Sequence, residues 1–92
     1  MIMFNHKCEK GQHPFNEQYI YSFENGYGAS VVRGLHTYGG DKGLWELAVL
    51  DSDGHITYDT PITRDVIGYM SETDVEETLN RIRDLKSIRK EG

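Results

Sequence analysis

The chain is expected to fold as an α+β domain: a four-stranded antiparallel sheet made of two hairpins, followed by one C-terminal amphipathic helix. Three features of the sequence predict this. Asn25-Gly26 and Asp53-Gly54 each sit between short runs rich in β-branched and aromatic residues, the signature of a hairpin. Val75, Leu79, Ile82 and Leu85 recur at intervals of four and three, which lines one face of a helix. The chain has 92 residues, 37% hydrophobic and 27% charged, enough for one domain with a small core. Multi-domain enzymes, dinucleotide folds and closed α/β barrels are excluded by that length.

Residues 1–16 read as an irregular extension and 17–92 as the single domain. Gly11 and Pro14 discourage regular structure, although the apolar run Met1-Ile2-Met3-Phe4 could form a short edge strand. Tyr19, Ile20, Tyr21 and Phe23 favour a first strand, and Gly28 to Arg33 a second. A two-residue type I′ turn at Asn25-Gly26 would set Tyr19 opposite Val32, Ile20 opposite Val31 and Phe23 opposite Gly28. Gly34 to Gly43 holds four glycines in ten residues and reads as a loop. Leu44 to Leu50 is the third strand, with Trp45, Leu47 and Val49 on one face. A turn centred on Asp53-Gly54 leads to a fourth strand, His55 to Asp59. That register would set Val49 opposite Tyr58 and Asp51 opposite Ile56, and Pro61 would end the strand. Pro61 to Met70 reads as a loop or a single helical turn packed inward.

The last element is a helix from about Glu72 to about Ile88. Ser71 and Asp74 have the spacing of a capping box, with Asp in place of the commoner Glu. Acidic residues crowd its start and Arg81, Arg83, Lys86, Arg89 and Lys90 its end, complementing the helix dipole. Glu77 and Arg81 have the spacing of an i,i+4 ion pair. One helix covers one sheet face. Tyr19, Tyr21 and Phe23 would share a face with Val32. The face left open needs a cover from the Pro61 to Met70 segment, a second subunit or a partner, of which a homodimer through the sheet is the favoured expectation.

The formal charge is −5, which disfavours a general nucleic-acid binder. The single cysteine, Cys8, excludes an internal disulfide and fits a reducing compartment. No apolar run approaches the roughly 20 residues that span a bilayer, and Met1 to Lys10 shows no signal-peptide core. A cytoplasmic location without membrane contact is expected.

Few residues form a chemical constellation. His6, Cys8 and His13 offer zinc-type donors, but the His-x-Cys-x4-His spacing matches no standard ligand pattern, so no metal is expected. A thiol nucleophile at Cys8 would need a rigidly held base, which an irregular tail does not supply. Asp51-Ser52-Asp53-Gly54 resembles the start of a calcium loop, but position twelve of that loop is Ile62, so a turn is the better reading. The carboxylates Glu46, Asp59 and Asp65 have no spacing that makes them an acid/base pair. No catalytic residue and no cofactor are expected. The loop with His36, Tyr38, Gly39, Gly40, Asp41 and Lys42 is the leading candidate for contact. Successive glycine N–H groups can form an anion nest, Lys42 adds a charge, and Tyr38 or His36 can stack on a base. Tyr19 and Tyr21 join the candidates as sheet-face aromatics, since tyrosine couples contact area to a polar tip.

Several stretches together resemble a family of small proteins encoded by tailed bacteriophages. They are Phe23-Glu24-Asn25-Gly26-Tyr27-Gly28-Ala29-Ser30-Val31-Val32, Tyr38-Gly39-Gly40, Gly43-Leu44-Trp45-Glu46-Leu47-Ala48-Val49-Leu50, Tyr58-Asp59-Thr60-Pro61-Ile62-Thr63 and Asp65-Val66-Ile67-Gly68-Tyr69. The resemblance covers about two-thirds of the chain. It implies work in the cytoplasm of an infected bacterium but no assigned activity. The expectation is a non-catalytic accessory protein that binds and modulates a host or phage protein. The alternative is a dimer that sequesters a small phosphate-containing ligand, such as a signalling nucleotide, through the Tyr38 to Gly43 loop.

Overall fold

The computed structural model describes residues 8–11, 16–35, 37–57, 60–62 and 66–86. Its order is β1 (Cys8–Lys10), β2 (Asn16–Ser22), β3 (Gly28–Gly34), a 3-10 turn (Gly40–Lys42), β4 (Trp45–Leu50), β5 (Ile67–Met70) and α1 (Glu72–Arg83). The fold class is the one the sequence predicts, an antiparallel sheet followed by one C-terminal helix. Strands β1 to β4 pair as antiparallel neighbours in chain order, and β5 extends the sheet beyond β4.

Two elements differ from the expected ones. Cys8–Lys10, inside the stretch expected to be irregular, is edge strand β1, with Cys8 opposite Tyr21. The run Met1 to Phe4 lies outside the described residues. His55 to Asp59 does not supply the next full strand. Among its described residues there is one bridge, Leu50 with Ile56, and Tyr58 and Asp59 lie outside them. Ile67–Met70 pairs with β4 instead, where a loop or helical turn was expected. Its apolar residues supply the reason: Ile67 lies opposite Leu47 and Met70 opposite Trp45, extending the core face by one strand.

Both hairpins are one residue longer in the turn than the two-residue type. A type I′ turn needs positive φ at both central residues. Gly26 (φ 93) and Gly54 (φ 80) have it, but Tyr69 is the one described non-glycine residue that does, so Asn25 and Asp53 do not. Each loop is a three-residue loop closed by a left-handed glycine, Glu24-Asn25-Gly26 and Ser52-Asp53-Gly54. The Gly26 N–H donates to the Phe23 carbonyl at 3.0 Å and the Phe23 N–H to the Tyr27 carbonyl at 2.8 Å. The added residue shifts the register, and a one-residue shift changes which side chains share a face. Tyr19 therefore opposes Val31, and Tyr21 opposes Ala29. In the second hairpin the Thr57 N–H donates to the Val49 carbonyl at 2.9 Å, and Ile56 pairs with Leu50. Ile56 therefore leaves the Trp45–Val49 face and is exposed.

This register decides the core. Tyr19, Tyr21, Ala29, Val31, Trp45, Leu47, Val49 and Met70 pack against Val75, Leu79 and Ile82 of α1. Tyr21 and Trp45 are fully buried. The tyrosines expected on an open sheet face thus lie among the core residues, which removes the reason for a dimer through that face. The opposite face is part polar, where the Gln18 side-chain amide donates to the Ser30 hydroxyl at 3.2 Å.

Helix α1 begins as predicted. The Asp74 N–H donates to the Ser71 hydroxyl and the Ser71 N–H to the Asp74 carboxylate, both at 3.1 Å. It ends at Arg83, about one turn before the expected end, while residues 87–92 lie outside the described ones. The physical reason is a cap from the first hairpin. The Asn25 side-chain nitrogen lies 2.7 Å from the Ile82 carbonyl oxygen and 3.1 Å from those of Arg83 and Leu85. The Ile82 carbonyl also accepts the Leu85 N–H at 3.1 Å, and the two hydrogens of the Asn25 amide add donors at the helix end, where carbonyls run out of i+4 partners. Among the described residues the ion pairs are Arg33 with Glu17 and Arg83 with Asp84, so the pair expected between Glu77 and Arg81 is not formed.

Candidate binding surface

The Gly34–Gly43 loop is built by its own hydrogen bonds. The Thr37 hydroxyl sits 2.9 Å from both the N–H and the carbonyl of Gly34. The Gly40 N–H donates to the Thr37 carbonyl, and those of Lys42 and Leu44 to the Gly39 carbonyl. The Gly43 N–H donates to the Gly40 carbonyl, and the Tyr38 N–H to the Glu46 carboxylate at 3.1 Å. A nest binds an anion with N–H groups that have no other acceptor. The N–H groups of Tyr38, Gly40, Lys42 and Gly43 are already committed. Gly40 has a steric purpose instead, because a side chain there would collide with the Gly34 carbonyl and the Thr37 hydroxyl.

The predicted contact residues separate. Tyr38, Asp41 and Lys42 are exposed, Gly40 is partly covered and Gly39 is buried. His36 lies outside the described residues. Tyr19 and Tyr21 are in the core. Burial pushes the Tyr21 phenol well above the ordinary tyrosine range, and its hydrogen-bonded neighbour Cys8 reinforces the shift. Cys8 is half-buried beside Tyr21 rather than in a loose tail. His6 and His13 lie outside the described residues.

Sequence reasoning missed Tyr69. The Tyr69 N–H donates to the Tyr38 carbonyl at 3.1 Å, joining strand β5 to the loop. Tyr38 packs over Gly68, where any side chain would collide with it. Tyr38 and Tyr69 are 61% and 60% exposed, so two aromatic side chains on adjoining segments are left open to solvent. Leu35, in the same loop as Tyr38, is 80% exposed.

Tyr69 also carries φ 56, a left-handed conformation that costs a non-glycine residue about 1–2 kcal/mol. A bulge forces it. Leu47 pairs with Ile67 and Trp45 with Met70, so Gly68 and Tyr69 together oppose Glu46 alone. The glycine interrupting the apolar run Val66–Met70 was the available signal, since an isolated glycine in a strand marks a bulge.

At the other end of the sheet, a cleft of about 360 Å³ lies between the two hairpin loops, lined in part by Phe23, Tyr27, Leu50, Asp51 and Asp53. Beside it, donor atoms of Asp51, Asp53 and His55 lie within 4.8 Å of one another. The Asp51 carboxylate accepts the N–H groups of Asp53 and His55 at 2.9 and 3.0 Å. That is the bonding of an Asx turn, and it accounts for the placement of the trio.

Among the described residues, no helix is long and apolar enough to cross a membrane. Comparison with known proteins finds no matching family model, no matching curated protein and no matching solved structure.

Proposed function

We propose that this chain is a small non-catalytic binding protein that engages and modulates a protein of a phage-infected bacterium, host- or phage-encoded, in the cytoplasm. Its contact surface is the Tyr38–Tyr69 ridge. The observation that carries this reading is the pairing itself: two tyrosines, each more than half exposed, joined by a backbone hydrogen bond, one of them held in a strained conformation. Tyrosines held rigidly lose little entropy on contact and bring large area, which suits them to a protein interface. Strain retained at an exposed residue that buries little is accounted for when that residue is used.

The sequestering alternative has less support, because the N–H groups of Tyr38, Gly40, Lys42 and Gly43 are bonded internally. Lys42 remains as an exposed charge.

Affinity capture from infected cells, followed by mass spectrometry, tests the proposal with the parent chain and a Tyr38→Ala, Tyr69→Ala double variant. The parent is expected to enrich a specific protein and the folded double variant to lose it. Recovery of the same protein by both rejects the ridge, and enrichment of nothing by the parent rejects the binding function.

A further inference from the structure

We infer that Asn25-Gly26 is a fold-gated deamidation site, whose reaction product can no longer cap α1. The inference stands apart from the binding surface and rests on the hairpin–helix contact.

Asn-Gly is the dipeptide most open to intramolecular imide formation, because glycine has no side chain to shield its nitrogen. The Gly26 backbone nitrogen loses its proton and attacks the Asn25 side-chain carbonyl carbon. The new N–C bond forms, the C–Nδ2 bond breaks, and ammonia leaves with that proton. Water then opens the five-membered imide to aspartate or to isoaspartate. The net change is amide plus water to carboxylate plus ammonium.

In the folded chain both reacting groups are tied. The Gly26 N–H donates to the Phe23 carbonyl at 3.0 Å. The Asn25 side chain is buried, its nitrogen on the Ile82, Arg83 and Leu85 carbonyls and its oxygen accepting the Tyr27 N–H at 3.0 Å. Reaction therefore requires the hairpin tip to leave the end of α1, a local opening.

The product cannot return to the same place. An aspartate would put an oxygen without a hydrogen where the Nδ2 donor stood, facing three carbonyl oxygens. It would also put negative charge at the negative end of the helix dipole. Isoaspartate lengthens the backbone and breaks the turn register as well. An opening that lasts long enough to react becomes irreversible, so the contact between the Asn25 loop and α1 limits the lifetime of the native chain.

The test incubates the chain at mildly alkaline pH, in native buffer and in guanidinium chloride, and follows conversion at Asn25 by peptide mass mapping. Conversion in native buffer is expected to be at least about tenfold slower, the reduction set by the rarity of local opening. Converted molecules returned to native buffer should unfold at lower denaturant than the parent, and Asn25→Asp should reproduce that loss. Failure of Asn25→Asp to fold is a loss in the same direction, and the native-against-denatured rate then tests the gate separately. Equal rates in the two conditions, or converted chains as stable as the parent, overturn the inference.

Discussion

Arg33 holds its guanidinium 4.2 Å above the centre of the Trp45 ring while pairing with Glu17 at 2.7 Å. Trp45 is fully buried, and Tyr19 packs against it at 6.0 Å between ring centres. Arg33 thus closes one end of the core with a charge whose far side reaches solvent. Cation–π contact at a partly exposed site contributes about 0.5–1 kcal/mol, and an exposed ion pair about 0.2–1 kcal/mol. Arg33→Ala should lower the unfolding free energy by about 1–2 kcal/mol in urea titration. Arg33→Lys should recover only part of it, because the flat stacking face is lost while the charge stays. Full recovery by lysine would show that the stack contributes nothing.

The capping box at Ser71 and Asp74 is exposed, so its effect is local to α1. Ser71→Ala should reduce stability by about 1 kcal/mol, read as a lower urea midpoint with an unchanged slope. Ser71→Asp, which restores an acceptor, should recover most of the loss. A midpoint unmoved by Ser71→Ala would place the helix start outside the cooperative unit.

Tyr69 reverses the usual order of glycine and alanine. In a strand interior glycine is the worse residue by about 0.5–1 kcal/mol. At φ 56 alanine keeps the left-handed strain and glycine removes it. Tyr69→Gly should therefore be more stable than Tyr69→Ala by about 1 kcal/mol in thermal or urea unfolding. The ordinary order, with alanine the more stable, would mean that the bulge relaxes once the ring is gone.

The buried Tyr21 phenol links stability to alkaline pH. Its folded pKa is raised, first by burial and then by Cys8. A raised acid favours the protonated form in the fold. Its contribution is present below the unfolded tyrosine value of about 10 and is lost as pH rises above it. Tyrosinate absorbance should show one phenol resisting titration until the chain unfolds. Tyr21→Phe should flatten the fall in stability above about pH 10, and an equally steep fall in that variant would assign the pH dependence elsewhere.

The sequence by itself determined the fold class, the start of α1 and the apolar faces of β4 and α1. These are local matters: Ser71 finds Asp74 three residues away, and Trp45, Leu47 and Val49 alternate along one strand. Only the tertiary structure decided the hairpin registers, the identity of β5 and the exposed ridge. Asn25 allows a two-residue turn when read alone, but the carbonyls at the end of α1, 57 residues on, accept its side chain within a three-residue loop. That loop sets Tyr21 opposite Ala29, on the core face. Ile67–Met70 is too short for its own pattern to distinguish strand from turn, and becomes a strand because Leu47 and Trp45 offer it a partner face. Tyr69 then turns outward beside Tyr38, a placement that belongs to the bulge and not to either residue alone.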